Sequence, residues 1–200
     1  RAALGSGTFG IKNGVVGHGG RAAERFREGI TRDFRDNRDI WNFHNIFRRA
    51  GLYTASVSTF PERHSAWWFQ AGFQETYNEG HGGMESGETV LPYALDWLDR
   101  NGTKKDWYLH VHFWDPHTPY RTPADWPNYF EDSPVDSWLT EDIYNEHKKM
   151  SSPHGVNEIG MFTDEESPMF PKHPGAIRKY SELRRMFDGY DGGVRYADML

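Results

Sequence analysis

Two segments hold side chains that can move protons and grip an anion. One is Thr59-Phe60-Pro61-Glu62-Arg63-His64; the other is Asp115-Pro116-His117-Thr118-Pro119-Tyr120. An imidazole titrating near neutrality gives and takes protons at working pH. The guanidinium of Arg63, next to His64, adds fixed charge and forked donors suited to a tetrahedral oxyanion. That is equipment for transferring or hydrolysing a sulfate or phosphate ester. His110 and His112 fall inside "LHVHF" and are expected to be hydrogen-bonded packing residues. No helical His-x-x-x-His pair and no cysteine is present, so the sequence offers no zinc array.

These residues need elements to position them. Ile40, Phe43 and Phe47 recur at helical spacing and stop at Ala50-Gly51, and the spacing predicts a strand over 52–58. A second helix is expected from near Glu88, with Val90, Leu91, Ala94, Leu95 and Leu98 on one face and a left-handed cap at Asn101-Gly102. The strand predicted over 107–113 sets Leu109, Val111 and Phe113 on one face and His110 and His112 on the other. Repeated helix-strand units predict an α/β sheet covered by helices. Ligands in such sheets sit outside the carboxyl ends of the strands, which selects 59–69 and 115–120 as one functional rim.

The bulk properties exclude some classes. A net charge of -6 and a pI near 5.9 argue against nucleic-acid binding. The basic stretch Arg21 to Arg38 is interleaved with Glu24, Glu28, Asp33 and Asp36 and reads as a mixed-charge surface. No run approaches the roughly 20 apolar residues of a membrane span, and no feature assigns a compartment. Hydrophobic residues are 36% and mean hydropathy is -0.83, yet aromatics reach 16%. Most of those rings are expected in the core, and the remainder suit a site for sugars or aryl groups. "GSGTFG" (5–10) matches a dinucleotide fingerprint, but only four residues precede Gly5, so it reads as a glycine-rich turn. Residues 121–176 look like a long excursion or lid with short helices. A helical pattern returns from Ala176, is expected to break at "DGYDGG" (188–193), and restarts at Val194. Both ends look cut, as in an interior slice of a larger domain.

Four motifs, in order along the chain, resemble the sulfatase family. "RAALGSGTFGIKNGVVGHGG" is similar to the segment closing the Cys/Ser-x-Pro-x-Arg signature, with Arg1 as its arginine and the nucleophile upstream. "GLYTASVSTFPERHSAWWF" looks like the strand leading to the Lys-x-His site, although the usual lysine is absent and Arg63 stands in for its charge. "HVHFWDPHTPY" resembles the strand and Pro-His-x-Pro turn carrying a second sulfate-contacting histidine, and "GYDGGVRYADML" the Tyr-Asp-Gly-x-x-x-Tyr-x-Asp helix. Only the 121–176 excursion is unmatched.

The resemblance implies an alkaline-phosphatase-like mixed sheet sandwiched by helices, incomplete at both ends, with 1–200 a partial catalytic domain. It implies hydrolysis of a sulfate ester, of a glycan or similar small molecule, by a formylglycine nucleophile with Ca2+, the metal ligands lying mostly outside this chain. Arg1, His64 and His117 take the catalytic roles. Arg1 holds the nucleophile, His64 accepts the proton that releases sulfate from it, and His117 binds a sulfate oxygen or protonates the departing alcohol. Arg63 and Asp115 are the substrate-binding candidates, Asp115 bracing its turn rather than reacting. The two imidazoles and the Arg1 guanidinium are expected to share one anion pocket. A phosphate or phosphonate ester hydrolase of the same architecture is the alternative enzyme, and a non-catalytic carbohydrate-binding fragment is the alternative from another class.

Overall fold

The computed structural model describes residues 1–10, 15, 17, 42–150, 162–165 and 172–200. The mixed-charge stretch Arg21 to Arg38, and Ile40 at the start of the first predicted helix, lie outside the described residues. The chain forms two compact units, Arg1–Trp114 and Asp115–Leu200.

The first unit opens with the short helix α1 (Ala2–Ser6), closed by Gly7 at φ 64. Helix α2 (Phe43–Arg49) ends at Ala50, as its sequence signals, and strand β1 (Tyr53–Ser58) follows. Helix α3 (Phe60–His64), a 3-10 turn (Trp67–Gln70) and the short strand β2 (Glu75–Tyr77) come next. Helix α4 (Gly87–Asn101) and strand β3 (Trp107–His112) complete the unit. The strands form a parallel sheet in the order β2-β1-β3. Parallel neighbours need a crossover between them, and α3 and α4 provide it.

The central strand β1 is buried from Thr54 to Ser58, as expected of a strand covered on both faces. On one face Val57 packs with Val90 and Ala94 of α4, beside Leu109 and Phe113. Trp97, fully buried, ties α4 to the sheet by donating from Nε1 to Glu75 at 2.8 Å. The Tyr53 and Tyr77 hydroxyls donate to the same carboxylate at 2.7 and 2.9 Å. The hydrogen bond from Tyr53, with those from Tyr77 and Trp97, keeps Glu75 below its usual pKa against the opposing effect of burial. On the other face, His110 sits 5.2 Å from the Phe69 ring and its Nδ1 is 3.1 Å from Ser56 Oγ.

The structure corrects one local expectation here and adds one strand. Gly102 is right-handed, at φ -59, and closes α4 through its amide on the Leu98 carbonyl; the left-handed residue before β3 is Asp106, at φ 61. Strand β2 is absent from the sequence reading because three residues are too few to show a period.

In the second unit, helix α5 (Glu141–His147) is capped by Thr140, whose side chain accepts from the Ile143 amide at 3.3 Å. A 3-10 turn (Tyr180–Glu182) leads into helix α6 (Leu183–Met199). The core joins Leu139, Tyr144 and Phe162, all from the 121–176 stretch, to Ile177 and Leu183. Residues 151–161 and 166–171 of that stretch lie outside the described residues.

Helix α6 runs unbroken through the glycines where the sequence predicts a break. Tertiary contact outweighs the roughly 1 kcal/mol that each helical glycine costs. A Cβ on Gly189 would lie 2.5 Å from Pro174 Cγ, and one on Gly193 would lie 3.0 Å from Pro116 Cβ. The missing side chains are what let the helix approach those prolines.

Candidate active site

Strand β1 ends at Ser58, and α3 immediately carries Arg63 and His64 away from the carboxyl end of the sheet. Pro61 at the helix start suits this turn because its missing amide has no intrahelical partner there. His64 is buried at 8% exposure between two rings, 5.0 Å from Phe60 and 5.4 Å from Trp114. Arg63 stays exposed, with its guanidinium 5.6 Å above the Trp114 ring.

Arg1 comes to the same surface of the first unit. Its guanidinium lies 4.7 Å from the Phe60 ring, and its Nε donates to His112 Nε2 at 3.1 Å. Phe60 therefore has Arg1 on one contact and His64 on another. Because a guanidinium can only donate, Nε2 of His112 must accept, which places the proton of the neutral ring on Nδ1. Burial, reinforced by the charge of Arg1, lowers the pKa of His112 to about 3. The same two causes lower His110 to about 4. Both imidazoles are neutral at pH 7, so Arg1 has an uncharged acceptor in His112.

A glycine-rich loop fixes the back of the Arg63-His64 segment. Glu62 accepts from the Gly82 amide at 3.0 Å and from Asn78 Nδ2 at 2.9 Å. Glu85, itself buried, accepts from the His81 amide at 2.7 Å. Gly83 sits at φ 77, and a Cβ there would lie 2.4 Å from the backbone nitrogen of Arg63. Gly83→Ala is therefore expected to cost about 2–3 kcal/mol, combining left-handed strain with overpacking. An unchanged urea midpoint would contradict that closeness.

His117 and Asp115 belong to the second unit. Asp115 accepts from Arg121 Nε at 2.9 Å, with both side chains almost fully buried. This pair ties the start of the 115–121 turn to its end. His117 is exposed, and its Nδ1 lies 2.8 Å from the Thr118 carbonyl. A carbonyl oxygen can only accept, so that contact places a proton on Nδ1.

A protein-family model described as Sulfatase matches residues 26–200. The chain belongs to the sulfatase family. Membership carries the α/β, alkaline-phosphatase-like fold, and the family's reaction is the hydrolysis of sulfate esters. Among this sulfatase's proposed site residues, Arg63, His64, Asp115 and His117 lie within the matched span, whereas Arg1 precedes it. No curated protein and no solved structure matches the chain. Sulfatases generally use a metal and a formylglycine. Among the described residues of this one, no group of three or more His, Asp or Glu could hold a metal ion, and the chain has no cysteine. The described residues thus do not build a metal site. Among them, no helix is long and apolar enough to cross a membrane.

The sequence reading passed over His112 as a packing residue. Its signal was its position, on the strand face opposite Leu109 and Phe113 and last before the carboxyl end. Nothing in the sequence showed that Arg1 would reach it across such a long separation.

Proposed function

We propose that this sulfatase hydrolyses the sulfate ester of a carbohydrate or similar alcohol, with Arg1, His64 and His117 acting on the ester and Arg63 binding its sulfate. The observation that carries this reading is the Arg1 guanidinium, oriented by neutral His112 and seated on the same Phe60 ring that His64 touches. A formylglycine upstream of Arg1 and a Ca2+ ion would supply the attacking hydroxyl and neutralise charge on the sulfate oxygens.

The chain's own residues have separable tasks. Arg1 presents donors, fixed in direction by His112, to the negative charge that develops around sulfur. His64 accepts a proton in the step that frees inorganic sulfate; the rings of Phe60 and Trp114 limit its motion and shield it from water. The exposed guanidinium of Arg63 binds a sulfate oxygen, in place of the lysine that the family motif carries. His117 offers its Nε2 either to a sulfate oxygen or to the departing alcohol. Asp115 acts through Arg121 by holding the turn on which His117 stands.

The test is turnover of paired aryl esters by the full-length protein. Sulfate release is expected to exceed phosphate release by at least roughly tenfold, a difference of about 1.4 kcal/mol in transition-state stabilisation. A phosphate preference would replace this reading with the phosphate or phosphonate hydrolase. Sugar binding without turnover of either ester would leave the non-catalytic binding module.

A further inference from the structure

The second unit contains a cleft of about 180 Å3 between α6, the Tyr120–Asn128 segment and residues 172–174. A protein cavity of roughly 150 Å3 accommodates a benzene ring, so this cleft has room for one six-membered ring. Its lining combines aromatic groups with cations: Tyr120 and Trp126 on one hand, Lys172 and Arg185 on the other. Asp188 also lines it, but Arg184 pairs with that carboxylate and Asn128 donates to it at 3.1 Å. Arg185 also lies 3.7 Å from Glu182, so among the described residues Lys172 is the lining cation without a carboxylate partner, within a chain whose net charge is -6.

The donors are arranged for an acceptor-bearing ligand. Trp126 Nε1 is buried without a hydrogen-bond partner among the described residues. A buried donor left unsatisfied costs about 1–3 kcal/mol, and such a group calls for a missing partner. Gly192 lies beside it, where an added Cβ would stand 3.9 Å from that nitrogen, so no side chain of α6 at this position covers the indole edge. His173 Nδ1 accepts from the Gly175 amide at 3.1 Å, which puts the proton of the neutral ring on Nε2 and makes it a donor. Lys172 uses one of its three donors on the Trp126 carbonyl, and Arg185 gives one of its five to the Ala176 carbonyl at 2.7 Å.

We propose that this cleft binds one anionic sugar residue, a uronate or a sulfated hexose, as a carbohydrate subsite of the second unit. The ring lies against Trp126 and Tyr120, an oxygen of the sugar accepts from Trp126 Nε1, and the acid group meets Lys172 and Arg185. The class of ligand rests on the sulfate-ester reading above; the place rests on the cleft itself.

The test is calorimetric titration of the full-length protein with methyl glucuronide, glucose 6-sulfate and neutral methyl glucoside. Methyl glucuronide carries no sulfate ester, so it reports on the cleft independently of turnover. Both anionic sugars are expected to bind at least roughly tenfold more tightly than the neutral one. Lys172→Met should remove most of that difference, and Trp126→Phe, which keeps a ring but loses the N–H, should weaken all three sugars. Thermal melting of each variant confirms that it is folded, and Gly192→Leu, which would fill the cleft from α6, is the second route should Lys172→Met not fold. Equal binding of charged and neutral sugars, or wild-type binding by the folded variants, overturns the proposal. Glucuronide binding lost in the variants, in a protein without sulfate-ester turnover, supports the cleft while the enzymatic reading fails. Turnover without any glucuronide binding does the reverse.

Discussion

Replacing His64 with alanine is expected to lower kcat/KM for an aryl sulfate by roughly 10^2- to 10^4-fold, the range associated with loss of a positioned proton-transfer group. The imidazole is held by the Phe60 and Trp114 rings and stands close behind Arg63 on a five-residue helix. Such placement fixes its direction, and direction is most of what a general base contributes beyond its basicity. Truncation also leaves a small void between two rings, so His64→Gln is the companion variant, filling similar volume without a titrating group. Both variants should melt cooperatively, and both should lose turnover to a similar extent. Near-wild-type rates in either, measured as sulfate release under kcat/KM conditions, would remove His64 from the chemistry.

Acid should weaken this fold well before its carboxylates titrate. His110 and His112 have pKa values lowered to about 4 and about 3, chiefly by burial in the sheet and then by the Arg1 charge. In the unfolded chain each imidazole protonates near 6.5. As pH falls below that value the unfolded state takes up protons that the folded state refuses, so stability is full above about 6.5 and drains toward pH 3–4. Between pH 7 and 5 the loss is on the order of 2 kcal/mol for each residue. Urea midpoints measured at the two pH values should therefore fall steeply for the wild type. A double variant, His110→Asn with His112→Asn, should show a much flatter dependence, even if its midpoint at pH 7 is lower. Parallel pH dependences in the two proteins would mean that these imidazoles are not held neutral by the fold.

The helices and strands built on long periodic patterns were readable in the amino-acid order. The β1 and β3 strands, the helix α4 and the stop at Ala50-Gly51 follow from spacing and turn chemistry. The apolar face expected of α4 holds only in part: Val90 and Ala94 are buried, whereas Leu95 and Leu98 are exposed at 55% and 37% and Trp97 takes the core position. The family membership was legible as well: three of the four ordered motifs fall inside the matched span 26–200, and the first, over 1–20, precedes it. What escaped the sequence depends on contacts between distant residues. Helix α6 survives its glycines because Pro174 and Pro116 press against them, and no local propensity records that. The strand pattern marks His112 as a hydrogen-bonded packing residue, and its partner, Arg1, comes from the far end of the chain. Gly83 has no role that spacing along the chain could show, yet its lack of a side chain lets the loop lie against the Arg63 backbone.

The prolines against α6 also set how this helix can tolerate change. Residues 189 and 193 are one turn apart on a single stripe, and neither position has room for even a methyl group without a shift. Tyr190 and Val194, each the next residue along, are exposed at 48% and 42%. In a saturation library selected only for folding, this helix should show two positions, 189 and 193, held to glycine and the residue after each, 190 and 194, open to almost any side chain.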